Sequence, residues 1–510
     1  MELNDDKESC SVREKKKRLK KVSVDKLSRE ELEARVLQLE AQNVQLQNIL
    51  TKKFQEESSV LKEIGKQKKR DKPFDFSKYS KRHVLLKLAY LGWDYQGYAI
   101  QDNTSKTIEN NLFEALLMTK LIESRETSNY HRCGRTDKGV SAFDQVISIT
   151  LRSRLNLGDQ KNENGDDETL SSANMKKEID YVDILNKVLP SEIQILAWCP
   201  VDEGFSARFD CTKRKYKYFF PKGNYNIELM NKAGQYLKGP HDYRNLCKMD
   251  VGNGVVNFKR EIKNINITLI NLDERDSEEN HCIKSPEELE LIEKKSSSYS
   301  MCVATIEGKA FLWHQVRCIM AILFLVGEGK EDPDIILQLL DVENYPRKPQ
   351  YALASELPLN LYETSYEDSI EWRWNYRALL YVVTQMQTFW AQHNIKATMV
   401  RHILHDLESC LYKLEDGDGE EVCGQSLGLL GEPHSKKGYR QLMTRPKCSD
   451  LETRVDHYVK RRRLDPNILD KEKEAACENH KTDSLDPNIP DQDKDKETQY
   501  EDINKDSIPS

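Results

Sequence analysis

The apolar positions along this chain change period from segment to segment, and each period predicts an element. "HVLLKLAYLG", from His83 to Gly92, is almost continuously apolar and runs into the glycine-punctuated stretch "GWDYQGYAIQ", which predicts a strand and then a turn. In "TIENNLFEALL", Ile108, Leu112 and Leu116 recur at helical spacing and share one face. "QVISIT" reads as a strand, "VDILNKVLP" as a helix and "IQILAW" as another strand. A second half opens with "FSARFDCTKRKYKYFF", where Tyr216, Tyr218 and Phe220 alternate as on one strand face. The helix "NKAGQYL", strands near 261–270 and 301–307, and a closing helix from about Trp313 to Val326 follow. Residues 370–411 read mainly as helix. Strands and helices alternate loosely with hairpin-length links, so the expected class is α+β with antiparallel sheet.

The N-terminal region obeys a different rule. Leu32, Leu39 and Leu46 repeat every seven residues, with Val36, Asn43 and Leu50 between them, which is the heptad pattern of a parallel coiled coil. Ser28 and Glu31 match a capping box, and Leu27 with Leu32 matches a hydrophobic staple. The plainer alternative is a lone amphipathic helix docked on its own domain. The expected organisation is a basic disordered arm over 1–25, a coiled-coil helix over 26–51 and a linker over 52–80. Two halves of a globular domain follow, over 81–204 and 205–370. A helical and basic extension spans 371–463, and an acidic disordered tail spans 464–510.

Composition modifies this picture in three places. Charged residues make up 32% of the 510, which is polar for one compact globule and agrees with solvated arms and inserts. The longest apolar run, Cys318 to Gly327, is too short to span a bilayer, and no export signal is visible at the N-terminus. Twelve cysteines contain no CxxC pair, so a zinc site and a secreted disulfide framework are both unexpected and a reducing compartment is expected. The net charge of -7 at first argues against a nucleic-acid partner. Residues 464–510 alone carry 14 acidic side chains against 6 lysines, which leaves +1 on the rest. Basic runs at 13–21, 66–72 and ending at Arg463 then suit a polyanion. They fit nuclear import and RNA binding equally, so the nucleus is the expected location, with the cytoplasm as the alternative.

One segment carries concentrated chemistry: "CGRTDKGVSA", from Cys133 to Ala142. Gly134 and Gly139 permit backbone angles or close approach that other residues resist. Arg135 and Asp137, two apart on an extended stretch, are expected to share a face, where the arginine would hold the aspartate ionised. The bland reading is a tight turn with a surface ion pair. No HExxH, Walker A or GxGxxG motif is present, and His131 pairs with no Ser or Cys at a familiar spacing. The residues thus point to chemistry by a single ionised aspartate, with no metal or organic cofactor.

"CGRTDKGVSAFDQVIS" resembles the signature of the TruA family of tRNA pseudouridine synthases, close to GRTDxGVxAxxQV. "YLGWDYQGYAIQ" resembles an early block of the same family, with Tyr98 where Trp is usual. "FSARFDCTKRKYKY" and "FLWHQVRCIMAILFLVG" resemble two later ones, and the four occur in family order across about 83–365. Ser141 replaces a histidine common in the bacterial pattern, and "HDYRNLCKMDVGNGVVNF" is similar to the eukaryotic branch, which modifies uridines 38 and 39 of the tRNA anticodon stem-loop.

The resemblance implies two related halves around a central RNA-binding cleft, a homodimer and a redox-neutral isomerisation without cofactor. It implies that Asp137 is the essential aspartate, either attacking the sugar at C1′ or acting as a base there. Arg135 would take the place of the flipped base and Tyr216 would stack on it, Tyr216 having core packing as its plainer reading. Arg317 would pair with the aspartate, with Lys138 and Arg208 as RNA-phosphate contacts. Three other readings compete: a synthase acting on other uridines, a decayed RNA-binding paralogue, and a coiled-coil scaffold with an incidental domain. A zinc deaminase is opposed by the absence of H-x-E with P-C-x-x-C.

Overall fold

A computed structural model describes residues 74–156, 177–270, 299–367, 370–414, 438–461 and 464–469 except 466. The basic arm, the heptad helix, the linker up to residue 73, the acidic inserts and the tail beyond Leu469 lie outside the described residues.

Among the described residues ten strands form one sheet. They are β1 (Ser80–Tyr90), β2 (His131–Arg132), β3 (Ser141–Ser153), β4 (Ile193–Pro200), β5 (Lys213–Pro221), β6 (Gly239–Asp242), β7 (Lys259–Leu269), β8 (Met301–Gly308), β9 (Leu359–Ser365) and β10 (Arg373–Trp374). Their order is β10-β4-β1-β3-β9-β5-β8-β7-β6, with β2 paired beside β3. Pairing is antiparallel throughout except where β9 runs parallel to β3. The expected antiparallel character therefore holds within each half, and the sheet becomes mixed at the seam between them.

Among the described residues seven α-helices accompany the sheet: α1 (Ile108–Met118), α2 (Tyr181–Asn186), α3 (Ile227–Gln235), α4 (Gln315–Gly327), α5 (Ile335–Leu340), α6 (Tyr376–Leu414) and α7 (Leu451–Lys460). α1 begins where Thr107 accepts a bond from the Asn110 amide, and it buries Ile108, Leu112 and Leu116 as their spacing predicts. With β1, β3, β4 and α2 it encloses the core of the first half. α4 explains the longest apolar run. Every residue of it except Arg317 is buried, against Tyr218 and Phe220 of β5 and the inner positions of β7 and β8. Among the described residues no helix is long and apolar enough to cross a membrane.

β9 sits between the halves, and its two inward leucines divide: Leu359 joins the second core and Leu361 the first. Leu361 pairs with Ala142 on one side and with Tyr216 on the other. Register across the seam thus sets Tyr216 level with the strand that leaves the glycine-flanked loop.

That loop is closely fitted against the first turn. The Gly92 amide donates to Ser141 Oγ at 3.0 Å, and a Cβ on Gly92 would lie 1.9 Å from the Val140 carbonyl oxygen. Since backbone and not a flexible side chain blocks the space, Gly92→Ala is expected to destabilise the fold by about 1–3 kcal/mol through overpacking. Thermal denaturation checks this; an unchanged melting temperature would show that the loop yields freely.

Candidate active site

Residues 133–140 connect β2 to β3, and hydrogen bonds from both halves fix their path. Gln145 of β3 closes a two-way bond with Gly134, its amide donating to the carbonyl at 2.8 Å and its oxygen accepting at 3.3 Å. The Tyr98 amide donates to the Thr136 carbonyl at 3.1 Å, Tyr90 bonds Thr136 Oγ1 at 2.8 Å, and the Gly139 amide donates to the Tyr95 carbonyl at 3.1 Å. The early tyrosine-glycine block is therefore the cradle of the loop. Arg214 fastens it from the second half by donating to the carbonyls of Cys133, Arg208 and Lys309. Of the two glycines, only Gly139 needs its freedom: its φ is +77°, and a Cβ there would lie 2.7 Å from Glu356 Cγ. Gly134 has open space around it.

Asp137 ends this path, with 24% of its side-chain surface open to solvent. Trp313 Nε1 donates to its Oδ1 at 3.2 Å, and His314 Nε2 lies 3.4 Å from its Oδ2. Burial raises its pKa from 3.8 to about 6; Arg317, the Trp313 bond and Lys248 pull it down, and Glu356 pushes it up. Arg135 is exposed. The strongest cation acting on the aspartate comes from α4, and desolvation outweighs it.

Arg317 does not form its closest ion pair with Asp137. Its Nε donates to the Ala354 carbonyl and its Nη2 to Glu356 Oε2, both at 2.8 Å. Its charge reaches Asp137 from this clasped position. Glu356 is thus a second carboxylate at the site, where the sequence pointed to one alone.

Tyr216 stands edge-on to Phe311, with ring centroids 5.1 Å apart, and packs against both cores. Burial, with Asp137 among the nearby charges, keeps its phenol protonated, so the ring offers a flat face and a neutral hydroxyl. Its strand neighbours Tyr218 and Phe220 are core residues, as the plain reading of the alternation predicts.

The structure brings Asp137, Tyr216 and Arg317 together. Arg135, Lys138 and Arg208 are exposed, and Arg208 leans over the ring of Phe209, itself 63% exposed, at 5.2 Å. The residues missed in sequence are Trp313, His314, Lys248, Glu356 and Arg214. Trp313 and His314 stand inside "FLWHQVRCIMAILFLVG", four and three residues before Arg317, so that block held the signal. Lys248, whose Nζ lies 4.1 Å from the Trp313 ring, and Glu356 come from loops that no spacing rule connects to Asp137.

A half-buried, partly cation-compensated carboxylate beside a neutral aromatic face is equipped to act on a flat, uncharged heterocycle joined to a sugar. Comparison with known proteins agrees. A profile of the family described as tRNA pseudouridine synthase matches residues 233–367. The chain is 44% identical over 82% of its length to a Mus musculus protein named tRNA pseudouridine(38/39) synthase, covering 85% of it. It is 43% identical over 85% of its length to the Homo sapiens protein of that name, covering 88%. To the Saccharomyces cerevisiae protein of that name it is 41% identical over 60% of its length, covering 62%. By this likeness in sequence, the chain belongs to the tRNA pseudouridine synthases.

Proposed function

We propose that this chain isomerises uridine to pseudouridine at positions 38 and 39 of tRNA. The observation that carries the reading is a single one: relatives bearing that name are 43–44% identical to this chain over more than four fifths of its length. The reaction breaks the N1–C1′ bond, turns the uracil and joins C1′ to C5, so electrons balance without a donor or acceptor. Asp137 is the nucleophile at C1′ or the base there. Its pocket leaves the carboxylate ionised at neutral pH yet poorly solvated, which favours either role.

The remaining residues fit around this step. Tyr216 stacks on the flipped uracil, with a base–aromatic contribution of about 1–3 kcal/mol. Arg135, exposed at the lip of the loop, fills the space left by the base, and a guanidinium suits both stacking and phosphate. Lys138 and Arg208 face solvent, where RNA phosphates approach. The two halves form the walls of a cleft, and the chain works as a homodimer with one tRNA touching both subunits.

Incubation of the full chain with unmodified tRNA transcript, followed by pseudouridine mapping, tests the reading. Modification is expected at 38 and 39 and is lost when those uridines are replaced. Conversion confined to other positions assigns the chain a different target within the same family.

A further inference from the structure

Non-glycine residues with positive φ are uncommon, and the described residues hold three: Lys120, Asn129 and His314. Lys120 follows the end of α1, where a left-handed turn is ordinary, and Asn tolerates that region. His314 is different. It stands before the first turn of α4 at φ +58° and ψ 11°, and its side chain does not cap the helix. In extended backbone the side chains of consecutive residues point apart. Here the Trp313 and His314 rings lie side by side, centroids 4.9 Å apart, and both reach Asp137. Trp313 Nε1 meets Oδ1 at 3.2 Å and His314 Nε2 approaches Oδ2 at 3.4 Å, so each carboxylate oxygen faces its own nitrogen.

We propose that Trp313 and His314 form a two-point clamp on the Asp137 carboxylate, with His314 a positioning residue that acts through its Nε2–H.

The left-handed turn at His314 is the device that converges the two rings. The imidazole is suited to donate without adding charge. Burial, with Arg317, Lys248 and Lys348 nearby, lowers its pKa to about 3, so it is neutral wherever Asp137 is ionised. A neutral imidazole carries one N–H. Nδ1 is buried without a hydrogen-bond partner, whereas an acceptor waits at Nε2, which assigns the proton to Nε2. A clamp of this kind fixes the rotation of the carboxylate, and with it the direction in which a free lone pair points at the sugar. Catalytic contacts of this length commonly tighten when substrate closes the site.

The groups that bear on Asp137 are Arg317, Lys248 and Glu356 by charge and Trp313 by its bond. Loss of the His314 donor leaves these in place and removes an N–H that faces the ionised form at 3.4 Å, so the Asp137 pKa is expected to rise further. His314→Gly keeps a residue at ease with positive φ and deletes the ring; His314→Leu deletes the N–H and keeps bulk; His314→Gln restores an N–H. In single-turnover assays with tRNA, Gly and Leu are expected to slow isomerisation ~10- to 100-fold, the scale of a small misplacement of a reacting group. The acid limb of the pH–rate profile moves to higher pH, tRNA affinity stays within about twofold, and Gln regains part of the rate. Trp313→Phe, which keeps an aromatic ring and removes the N–H, makes the same test at the other oxygen. A folded His314→Gly enzyme with wild-type rate and an unmoved acid limb overturns the proposal, as does a loss lying wholly in tRNA affinity. The inference rests on Asp137 as the reacting group. If Asp137→Asn is inactive while the His314 variants are unaffected, the clamp alone fails; if Asp137→Asn stays active, the assignment of the site fails.

Discussion

Asp137→Asn removes isomerisation while tRNA still binds. The replacement has nearly the same shape and can accept the Trp313 bond, but it lacks the charge and the oxygen nucleophile, so the loss belongs to the chemical step. A fall of ~10³-fold or more in single-turnover rate is expected, with unchanged affinity. Stability provides a second readout with a defined sign. The Asp137 pKa is about 6 in the fold against the usual 3.8, so the folded chain holds the proton more tightly. The stability this group contributes is complete below about pH 4 and is lost as pH rises through about 6, at a cost on the order of 2–3 kcal/mol at neutral pH. Asparagine escapes that cost. The variant is therefore expected to melt no lower than wild type at neutral pH, and unfolding cannot account for its inactivity. A rate within tenfold of wild type would remove Asp137 from the centre of the mechanism.

Arg317→Leu has the second largest expected effect, and it acts through charge. The guanidinium is the strongest influence opposing the rise in the Asp137 pKa, and it neutralises Glu356 across a 2.8 Å contact. Without it Asp137 loses a favourable cation and gains an uncompensated carboxylate neighbour. Both changes raise the aspartate's pKa, so its protonated, inactive form extends to neutral pH. At neutral pH the rate is expected to fall ~100-fold or more and to recover partly as pH is raised. Adding Glu356→Gln to this variant removes the repelling charge and should return the acid limb toward lower pH. Single-turnover pH profiles of both single variants and the double make the test, since coupled neighbours give non-additive effects. If Glu356→Gln does not move the limb in the Arg317→Leu background, the two side chains do not act on Asp137 together.

Sequence patterns carried most of the element order because each depends on local period. The apolar spacing of Ile108, Leu112 and Leu116 and the unbroken run in α4 need no partner to be read. The seam was not legible. β9 joins strands more than a hundred residues away from it on both sides, and nothing local in Leu359–Ser365 signals a parallel neighbour. The same division holds at the site. Asp137, Tyr216 and Arg317 were available through the resemblance of whole blocks. Closeness in sequence pointed to Arg135, whereas the leading influences on Asp137, burial and the Arg317 guanidinium of α4, depend on tertiary packing. Glu356 and Lys248 were out of reach, being brought to Asp137 only by tertiary packing. His314 was legible as a residue but not as a contact, because its left-handed backbone reverses the direction that an extended or helical reading assigns.

In the proposed mechanism the half-buried Asp137, ionised at neutral pH from a raised pKa, carries the chemistry. The pH dependence of kcat/KM for tritium release from uridine C5 in tRNA tests it most directly, since kcat/KM reports ionisations of the free enzyme. Between about pH 5 and about pH 9, kcat/KM should be level above neutrality and fall about tenfold per pH unit below a single ionisation near pH 6. A profile that stays level down to about pH 5, with the protein folded and tRNA bound, would contradict the account.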